Sequence, residues 1–228
     1  MLHVVPKFDL PMSAPAGGVP GAPAERERAD ARRNRERILC AAARLIEEKG
    51  IDCMSMDDVA HAAGVGKGTL YRRFGDRAAL LRALISEPEQ EFQDNLIRGL
   101  PPLGPGAPAS ERLHAFGEAL LRFLDGHAVY VKAGELLGGS KRYTHPVYAF
   151  YQTHVGLLLR EASGAEAINP YMVDALLAPL GAEPFLYQRD VRGMSVDEIC
   201  AGWHALCDCV LAGLGAPADA DAPTGATA

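Results

Sequence analysis

Glycines divide residues 50–87 into short helical segments, and the spacing of these glycines constrains the fold more than any other feature of the chain. Gly50 stands where the helix before it needs a left-handed C-cap. Ser55, with Asp58 three residues later, resembles a capping box and predicts a second helix. The turn Gly64-Val65-Gly66 ends that helix, and a third helix is predicted directly after it.

Helical periodicity continues along the rest of the chain. In the last segment apolar residues recur three or four positions apart, which places them on one helix face. No alternating strand pattern and no internal repeat interrupts this periodicity, so we expect an all-α fold. Helices are predicted near Arg32–Lys49, Met56–Ala63, Lys67–Phe74, Asp76–Leu84, Glu89–Leu100, Ser110–Leu124, Ala128–Leu137, Pro146–Ala162, Pro170–Leu180 and Ser195–Leu214.

Composition divides the chain into four parts. Residues 1–27 and 215–228 are rich in proline, alanine and glycine, and we expect both to be disordered. Residues 28–87 are predicted to form an N-terminal three-helix domain with a helix-turn-helix motif at 55–74. Residues 88–214 are predicted to form a C-terminal helical domain.

Composition also excludes several classes of protein. With 48% hydrophobic and 23% charged residues, the chain has an ordinary globular composition. No apolar run approaches the roughly 18 residues that cross a bilayer, and the proline-rich N-terminus does not resemble a signal peptide. We therefore expect a cytoplasmic protein without a membrane partner. Its five cysteines show no metal-ligand spacing and are expected to be small buried thiols, with a redox sensor as the alternative.

The residues of the predicted third helix suit insertion into the major groove of DNA. Short side chains at its start, in Gly66, Gly68 and Thr69, allow the backbone to approach base edges. Lysine, tyrosine and arginine side chains follow, and these residue types bind phosphates. Leu70 and Phe74 lie one turn apart and would hold the inner face. The predicted DNA contacts are Ser55, Met56, Lys67, Gly68, Thr69, Tyr71, Arg72, Arg73 and Arg77.

The charge distribution agrees with a nucleic-acid partner at one end of the chain. Residues 31–86 contain eleven basic and seven acidic residues, a net charge of +4, which leaves −10 for the rest because the whole chain carries −6. A basic module joined to an acidic remainder attracts phosphate at one end only. Interleaved acids favour a mixed-charge helix start over a minor-groove arm for the N-terminal arginines. These are Arg26, Arg28, Arg32, Arg33 and Arg35.

The segment from about Arg32 to Leu84 resembles the DNA-binding domain of the TetR family of bacterial transcriptional regulators. Two residues depart from the family pattern: Gly66 stands where serine or threonine is common, and Arg73 stands where histidine is frequent. The resemblance implies that the first residues of the third helix face base edges or the adjacent backbone. The implied phosphate contacts are Tyr71, Arg73 and Arg77. The matching residues are Ile38, Ala42, Leu45, Gly50, Met56, Val59, Ala60, Ala63, Gly64, Val65, Lys67 through Phe74, Leu80 and Leu81.

The resemblance also implies a small-molecule effector and a homodimer, formed through the C-terminal helices. One reading module contacts only a few base pairs, so a two-fold dimer on a palindromic double-stranded operator is expected. The expected activity is that of a repressor released by its effector. For the ligand and dimer candidates alike, the alternative is that they only form the core of their own domain. The candidate ligand-binding residues are Phe116, Leu120, Phe123, Tyr130, Glu135, Tyr148, Tyr151 and His154. The candidate dimer residues are Leu177, Trp203, Leu206 and Val210.

No catalytic or metal-binding pattern accompanies these residues. His127, Glu135, His145 and His154 form no pair at metal-ligand spacing on one helix, and the sequence has no nucleophile elbow or phosphate-binding loop. We therefore expect no enzymatic activity, no cofactor and no metal. The alternative that the sequence leaves open is a small-molecule binding or catalytic protein with a vestigial DNA-binding module.

Overall fold

The computed structural model of the chain describes residues 23–137 and 142–215, without the side chains of residues 23–28, 135–137 and 144. Within these ranges the fold is all-α, with no strand, and the predicted fold class is confirmed. The predicted disordered segments lie outside the described residues, except for residues 23–27 and 215, which are helical. The helices are α1 (Pro23–Lys49), α2 (Met56–Ala62), α3 (Lys67–Phe74), α4 (Arg77–Arg98), α5 (Ala109–Leu137), α6 (Pro146–Ser163), α7 (Pro170–Leu177), α8 (Ala182–Leu186) and α9 (Val196–Gly215).

Local capping explains where the N-terminal helices begin and end. Gly50 and Gly75 have φ values of +82° and +78°, a backbone conformation that glycine adopts at low cost. Ser55 Oγ accepts a hydrogen bond from the backbone N–H of Asp58 at 3.1 Å, so the predicted N-cap of α2 is confirmed. Asp76 caps α4 in the same way, because its Oδ1 accepts from the N–H of Ala79 at 2.7 Å.

Three helices are longer than the sequence predicts. α1 begins at Pro23 rather than near Arg32. α4 continues through Pro88, and α5 continues through Gly126, where the sequence predicts breaks. Proline and glycine disfavour a helix interior by about 3 and 1 kcal/mol, and packing of the flanking turns overrides such local preferences.

Among the described residues the chain divides into two compact units. Unit 1 comprises residues 23–88 and 126–137, and unit 2 comprises residues 89–125 and 142–215. The last part of α5, expected within the C-terminal domain, thus falls in unit 1. The domain boundaries given by the sequence stay a prediction.

Each unit has its own apolar core. In unit 1 the first four helices contribute fully buried side chains, and Tyr130 from α5 is also buried. In unit 2 the core comes mainly from α5, α6, α7 and α9. The most deeply buried side chains of unit 1 are Ile38, Ala42, Val59, Leu70, Leu80 and Leu81. Those of unit 2 include Leu96, Leu113, Phe116, Leu121, Val155, Leu158, Leu159, Leu176 and Phe185.

Candidate nucleic-acid interface

A tight turn joins α2 to α3. Gly64 has a φ of +63°, and Val65 donates its N–H to the carbonyl of Ala60 at 3.0 Å. Leu70 is completely buried, and the guanidinium of Arg35 lies 5.9 Å from the centre of the half-buried Phe74 ring. These contacts hold the inner side of α3 against unit 1, so the opposite side faces outward.

The outward side of α3 carries the residues that the sequence singles out. Thr69 is half-buried, and no heavy atom lies within 4 Å of the Cβ position built on Gly66 or Gly68. The backbone at the start of α3 is therefore open to a close approach by another molecule. We call the exposed residues the reading face; they are Lys67, Gly68, Tyr71, Arg72 and Arg73.

Lys67 is paired within the unit. Its Nζ donates to the Asp57 carboxylate on α2 at 2.5 Å, and this hydrogen bond raises the pKa of Lys67. Both side chains are more than half exposed, so the pair adds little to stability. The ammonium stays protonated, but a phosphate has to compete with Asp57 for it.

The predicted contacts outside α3 lie in different environments. Ser55 is exposed, and its hydroxyl caps α2. Met56 is buried, so its side chain offers almost no surface to a ligand. Arg77 is half-buried and donates to the carbonyl oxygen of Ile51, which ties the start of α4 to the loop after α1. That contact to Ile51, which the sequence does not reveal, occupies a guanidinium assigned to a phosphate.

The arginines at the start of α1 are paired along their own helix. Arg32 lies 3.5 Å from Glu36, Arg33 lies 2.5 Å from Asp30, and Arg37 donates to Asn34 at 3.1 Å. This pattern supports the mixed-charge helix start over a minor-groove arm. The side chains of Arg26 and Arg28 lie outside the described residues.

This arrangement agrees with comparisons to known proteins. Residues 38–84 match the family model of bacterial regulatory proteins, tetR family. This segment is therefore similar to the DNA-binding domain of TetR-family regulators. An HTH-type transcriptional regulator of Staphylococcus aureus (strain MRSA252) is 28% identical over 175 residues, which cover 75% of this chain and 90% of that protein.

Two further comparisons differ in how much of the chain they cover. A regulator of Staphylococcus aureus (strain USA300) is 45% identical over 53 residues, which cover 23% of this chain and 29% of that protein. A TetR-like regulator from Rhodococcus sp. RHA1 superposes with a TM-score of 0.56 at 22% identity, over 79% of this chain and 96% of the other. The second likeness shows the fold alone.

Several ligand candidates meet in an aromatic cluster inside unit 2. The ring of Phe116 lies 5.5 Å from that of Tyr151 and 5.6 Å from that of His154. Phe92 on α4, which the sequence does not single out, lies 6.1 Å from Phe116 and 6.2 Å from Phe123. Its partners are distant in sequence, and only the helical period of α4 indicates that it faces inward.

The other ligand candidates are placed differently. Leu120 is buried, and Tyr148 donates its hydroxyl to Asp174 at 3.1 Å. Burial and this hydrogen bond raise the pKa of Tyr148 to about 12. Tyr130 is buried in unit 1, outside the aromatic cluster of unit 2. The side chain of Glu135 lies outside the described residues.

Burial perturbs the ionisable groups around the cluster. Burial raises the pKa of Tyr151 well above its usual range, with a further contribution from the charge of Glu89. Burial alone raises the pKa of Glu89. Burial and the positive charge of Arg112 lower the pKa of His154 to about 4, so this imidazole is neutral near pH 7. Such perturbed groups are typical of functional sites but also occur in structural networks.

The four dimer candidates fall into two pairs. Leu177 and Trp203 are 1% and 3% exposed within the single chain, so they offer almost no surface to a partner. Trp203 Nε1 also donates to the carbonyl of His114 at 3.1 Å. Leu206 is 38% exposed, and Val210, one turn later, is half-buried.

Neither metal chemistry nor membrane insertion finds support in the described residues. Residues 23–137 and 142–215 hold no group of three or more histidine, cysteine or carboxylate side chains arranged for a metal ion. Over the same ranges no helix is long and apolar enough to cross a membrane. Cys200 and Cys207 are buried as expected, whereas that expectation is wrong for Cys40, Cys53 and Cys209, which are exposed.

Proposed function

We propose that the protein is a homodimeric repressor that a small-molecule effector releases from a palindromic operator. The observation that carries this proposal is the reading face of α3, whose cations and tyrosine are exposed while Leu70 on the opposite side is buried. A helix held this way can enter the major groove with its N-terminal end first. A DNA-bound regulator of this kind acts in the cytoplasm.

The proposed contacts divide by chemistry. Lys67, Gly68 and Thr69 lie at the start of α3 and would approach base edges. Tyr71, Arg72 and Arg73 would bind phosphates, which fix the register of the helix on the duplex. At the start of α2 the Met56 backbone N–H would act as a flanking donor. The Ser55 hydroxyl would contribute only if it left the Asp58 carboxylate, to which it donates at 2.8 Å. Arg77 would contribute only if it left the carbonyl of Ile51.

A dimer follows from the small footprint of one α3 helix. Two half-sites about one helical turn of DNA apart, or a multiple of it, require two copies related by a two-fold axis. The exposed side of α9 supports this, because Leu206 and Val210 lie beside the exposed Ala205 and Cys209. Small neighbours around apolar side chains allow helices to approach each other closely.

The proposed effector acts through unit 2. Its aromatic cluster contains neutral His154 and the buried Tyr151, the mixture of apolar walls and few polar groups found in small-molecule sites. An effector changes DNA affinity only by the difference between its affinities for the DNA-bound and released states. Release from the operator therefore requires tighter effector binding to the released state.

Selection from a pool of random duplex oligonucleotides tests the DNA-binding part directly. The full chain is expected to enrich a palindrome, and a Tyr71→Ala/Arg73→Ala double variant is expected to enrich none. A Leu206→Asp variant is the matched control for dimerisation, and it is expected to enrich single half-sites weakly. Recovery of no sequence motif by the unaltered protein would overturn the proposal.

A further inference from the structure

An open depression of about 580 Å³ lies in unit 2 between the start of α5 and the second half of α6. This volume is in the range of small-molecule sites. Its lining combines cationic, neutral polar and apolar side chains. The lining residues are Arg112, His154, Leu157, Leu158, Arg160, Glu161, Gly164 and Ala165.

Two polar atoms of this lining lack hydrogen-bond partners among the described residues. They are Nε of Arg112 and Nε2 of His154, and both are withdrawn from solvent. A buried polar group without a partner is energetically costly, and more so when it is charged. Native proteins rarely keep such groups unless a water, an ion or a ligand completes them.

The net positive charge of the side chains that line the depression favours an anionic ligand. Arg112 and Arg160 are cationic, and Glu161 on the exposed edge is the only acid of the lining. Neutral His154 adds no positive charge near pH 7, but a neutral imidazole donates one hydrogen bond. A guanidinium N–H beside an imidazole N–H suits the two oxygens of a carboxylate.

The apolar part of the lining selects the rest of the ligand. Leu157 is 49% exposed, so it offers apolar surface that a bound ligand can cover. The ring of His154 lies 5.6 Å from Phe116 and 6.2 Å from Phe150, so the depression borders the aromatic cluster. A chain or ring attached to the carboxylate would cover Leu157 and lie against the His154 ring, which itself packs on these aromatic side chains.

We infer that the depression between α5 and α6 binds a carboxylate that carries an apolar group. The carboxylate accepts hydrogen bonds from Arg112 and His154, and the apolar group lies on Leu157 beside the aromatic cluster. That this carboxylate is the effector rests on the function proposed above. That the depression binds such a carboxylate does not depend on that function.

Isothermal titration of the full chain tests the site with three probes. 4-Phenylbutyrate carries both features, its amide lacks the charge, and acetate lacks the apolar group. We expect saturable binding of 4-phenylbutyrate and a dissociation constant about tenfold or more higher for the amide and for acetate. Equal affinity for acid and amide, or no binding of the acid, would overturn the inference.

Two variants assign the charge recognition. Arg112→Gln is expected to weaken 4-phenylbutyrate about tenfold and to leave the amide unchanged. His154→Phe keeps the ring stack, removes one donor and is expected to reduce the preference for acid over amide. Arg98→Gln is the matched control, because Arg98 pairs with Asp94 on α4 of the same unit and should not affect binding. Unchanged affinity in both site variants, with native circular dichroism, would contradict the assignment.

A gel shift with the selected operator separates this inference from the proposed function. Weaker operator binding in 4-phenylbutyrate supports both. Binding of the acid without any effect on the operator supports the site and contradicts effector release through it. Operator recognition without binding of the acid overturns the site alone.

Discussion

Asp57 on α2 and Lys67 on α3 form an ion pair whose Nζ and Oδ2 atoms are 2.5 Å apart, beside the reading face. Asp57 thus competes with DNA phosphate for one cation and also repels the backbone. We expect Asp57→Asn to tighten DNA binding about three- to tenfold and to steepen the dependence on salt by about one counterion. Fluorescence anisotropy with a labelled duplex across a salt series measures both quantities.

Asp52→Asn is the matched control for this prediction. It removes the same charge from an exposed residue of the loop after α1, whereas Lys67 pairs with Asp57. We expect its effect on affinity to be smaller than that of Asp57→Asn. If the two variants bind DNA equally tightly, the ion pair itself does not limit affinity.

Tyr71 is 47% exposed on the reading face, and its hydroxyl is a candidate phosphate donor. Tyr71→Ala is expected to weaken operator binding about tenfold or more. Tyr71→Phe removes only the hydroxyl and keeps the ring, so it measures the contribution of the hydroxyl alone. Dimerisation, measured by analytical ultracentrifugation, should not change in either variant. An unaltered gel-shift affinity for Tyr71→Ala would remove Tyr71 from the interface.

Gly66 is the N-cap of α3 and makes no side-chain capping hydrogen bond. Its φ of −68° suits any residue, and no atom lies within 4 Å of an added Cβ. Gly66→Ser should therefore raise the free energy of unfolding by about 0.5–1 kcal/mol, by capping α3 and restricting the unfolded chain. Urea unfolding measures this gain. The control Gly66→Ala restricts the unfolded chain but cannot cap α3. Equal gains in the two variants would therefore exclude capping.

Gly117 on α5 lies directly beneath the indole of Trp203, so that a Cβ would come within 2.0 Å of the ring. The indole is itself buried and held by His114, and it cannot move aside cheaply. Gly117→Ala is therefore expected to destabilise the protein by about 2–4 kcal/mol. Thermal unfolding followed by circular dichroism measures this loss.

Gly156→Ala is the matched control within the same unit. On α6 the nearest atom to an added Cβ is Cγ2 of Val173 at 3.7 Å, an ordinary contact. This substitution should be neutral or stabilising by up to about 1 kcal/mol, because alanine favours helix more than glycine does. A similar loss in both variants would mean that the packing of Trp203 is not the cause.

His154 predicts a defined dependence of stability on pH. Its pKa falls from the usual 6.5 to about 4 on folding, so the unfolded chain binds more protons between these values. Stability is therefore lost as pH falls from about 6.5 to 4, by on the order of 2 kcal/mol for this half-buried ring. Urea unfolding at pH 7, 5.5 and 4.5 should show a shallower decline for His154→Phe than for the unaltered chain. Parallel declines would contradict the shift.

The helix ends around the helix-turn-helix segment are predictable from the sequence because they depend on neighbours along the chain. Gly50 needs a positive φ and Ser55 reaches an N–H three residues later, so local chemistry determines both. The outward orientation of Tyr71 follows from the helical period once Leu70 is taken as the inner residue.

Contacts between distant segments are not predictable in this way. Nothing near Arg77 in the sequence indicates that Ile51 supplies its acceptor, and nothing near Phe92 indicates that Phe116 lies beside it. The same holds for Trp203, whose apolar period fits a dimer face and a domain core equally well. Packing decides between the two, and here it places the indole in the core.

Trp203 is the single tryptophan of the chain. Since its indole lies in the interior of unit 2, tryptophan emission, excited selectively at 295 nm or above, reports on that unit. Unfolding of α2 and α3 alone would leave the emission maximum in place. Loss of the packing between α5 and α9 would shift the maximum to longer wavelength. The unlabelled protein thus contains an optical probe that distinguishes partial from complete denaturation.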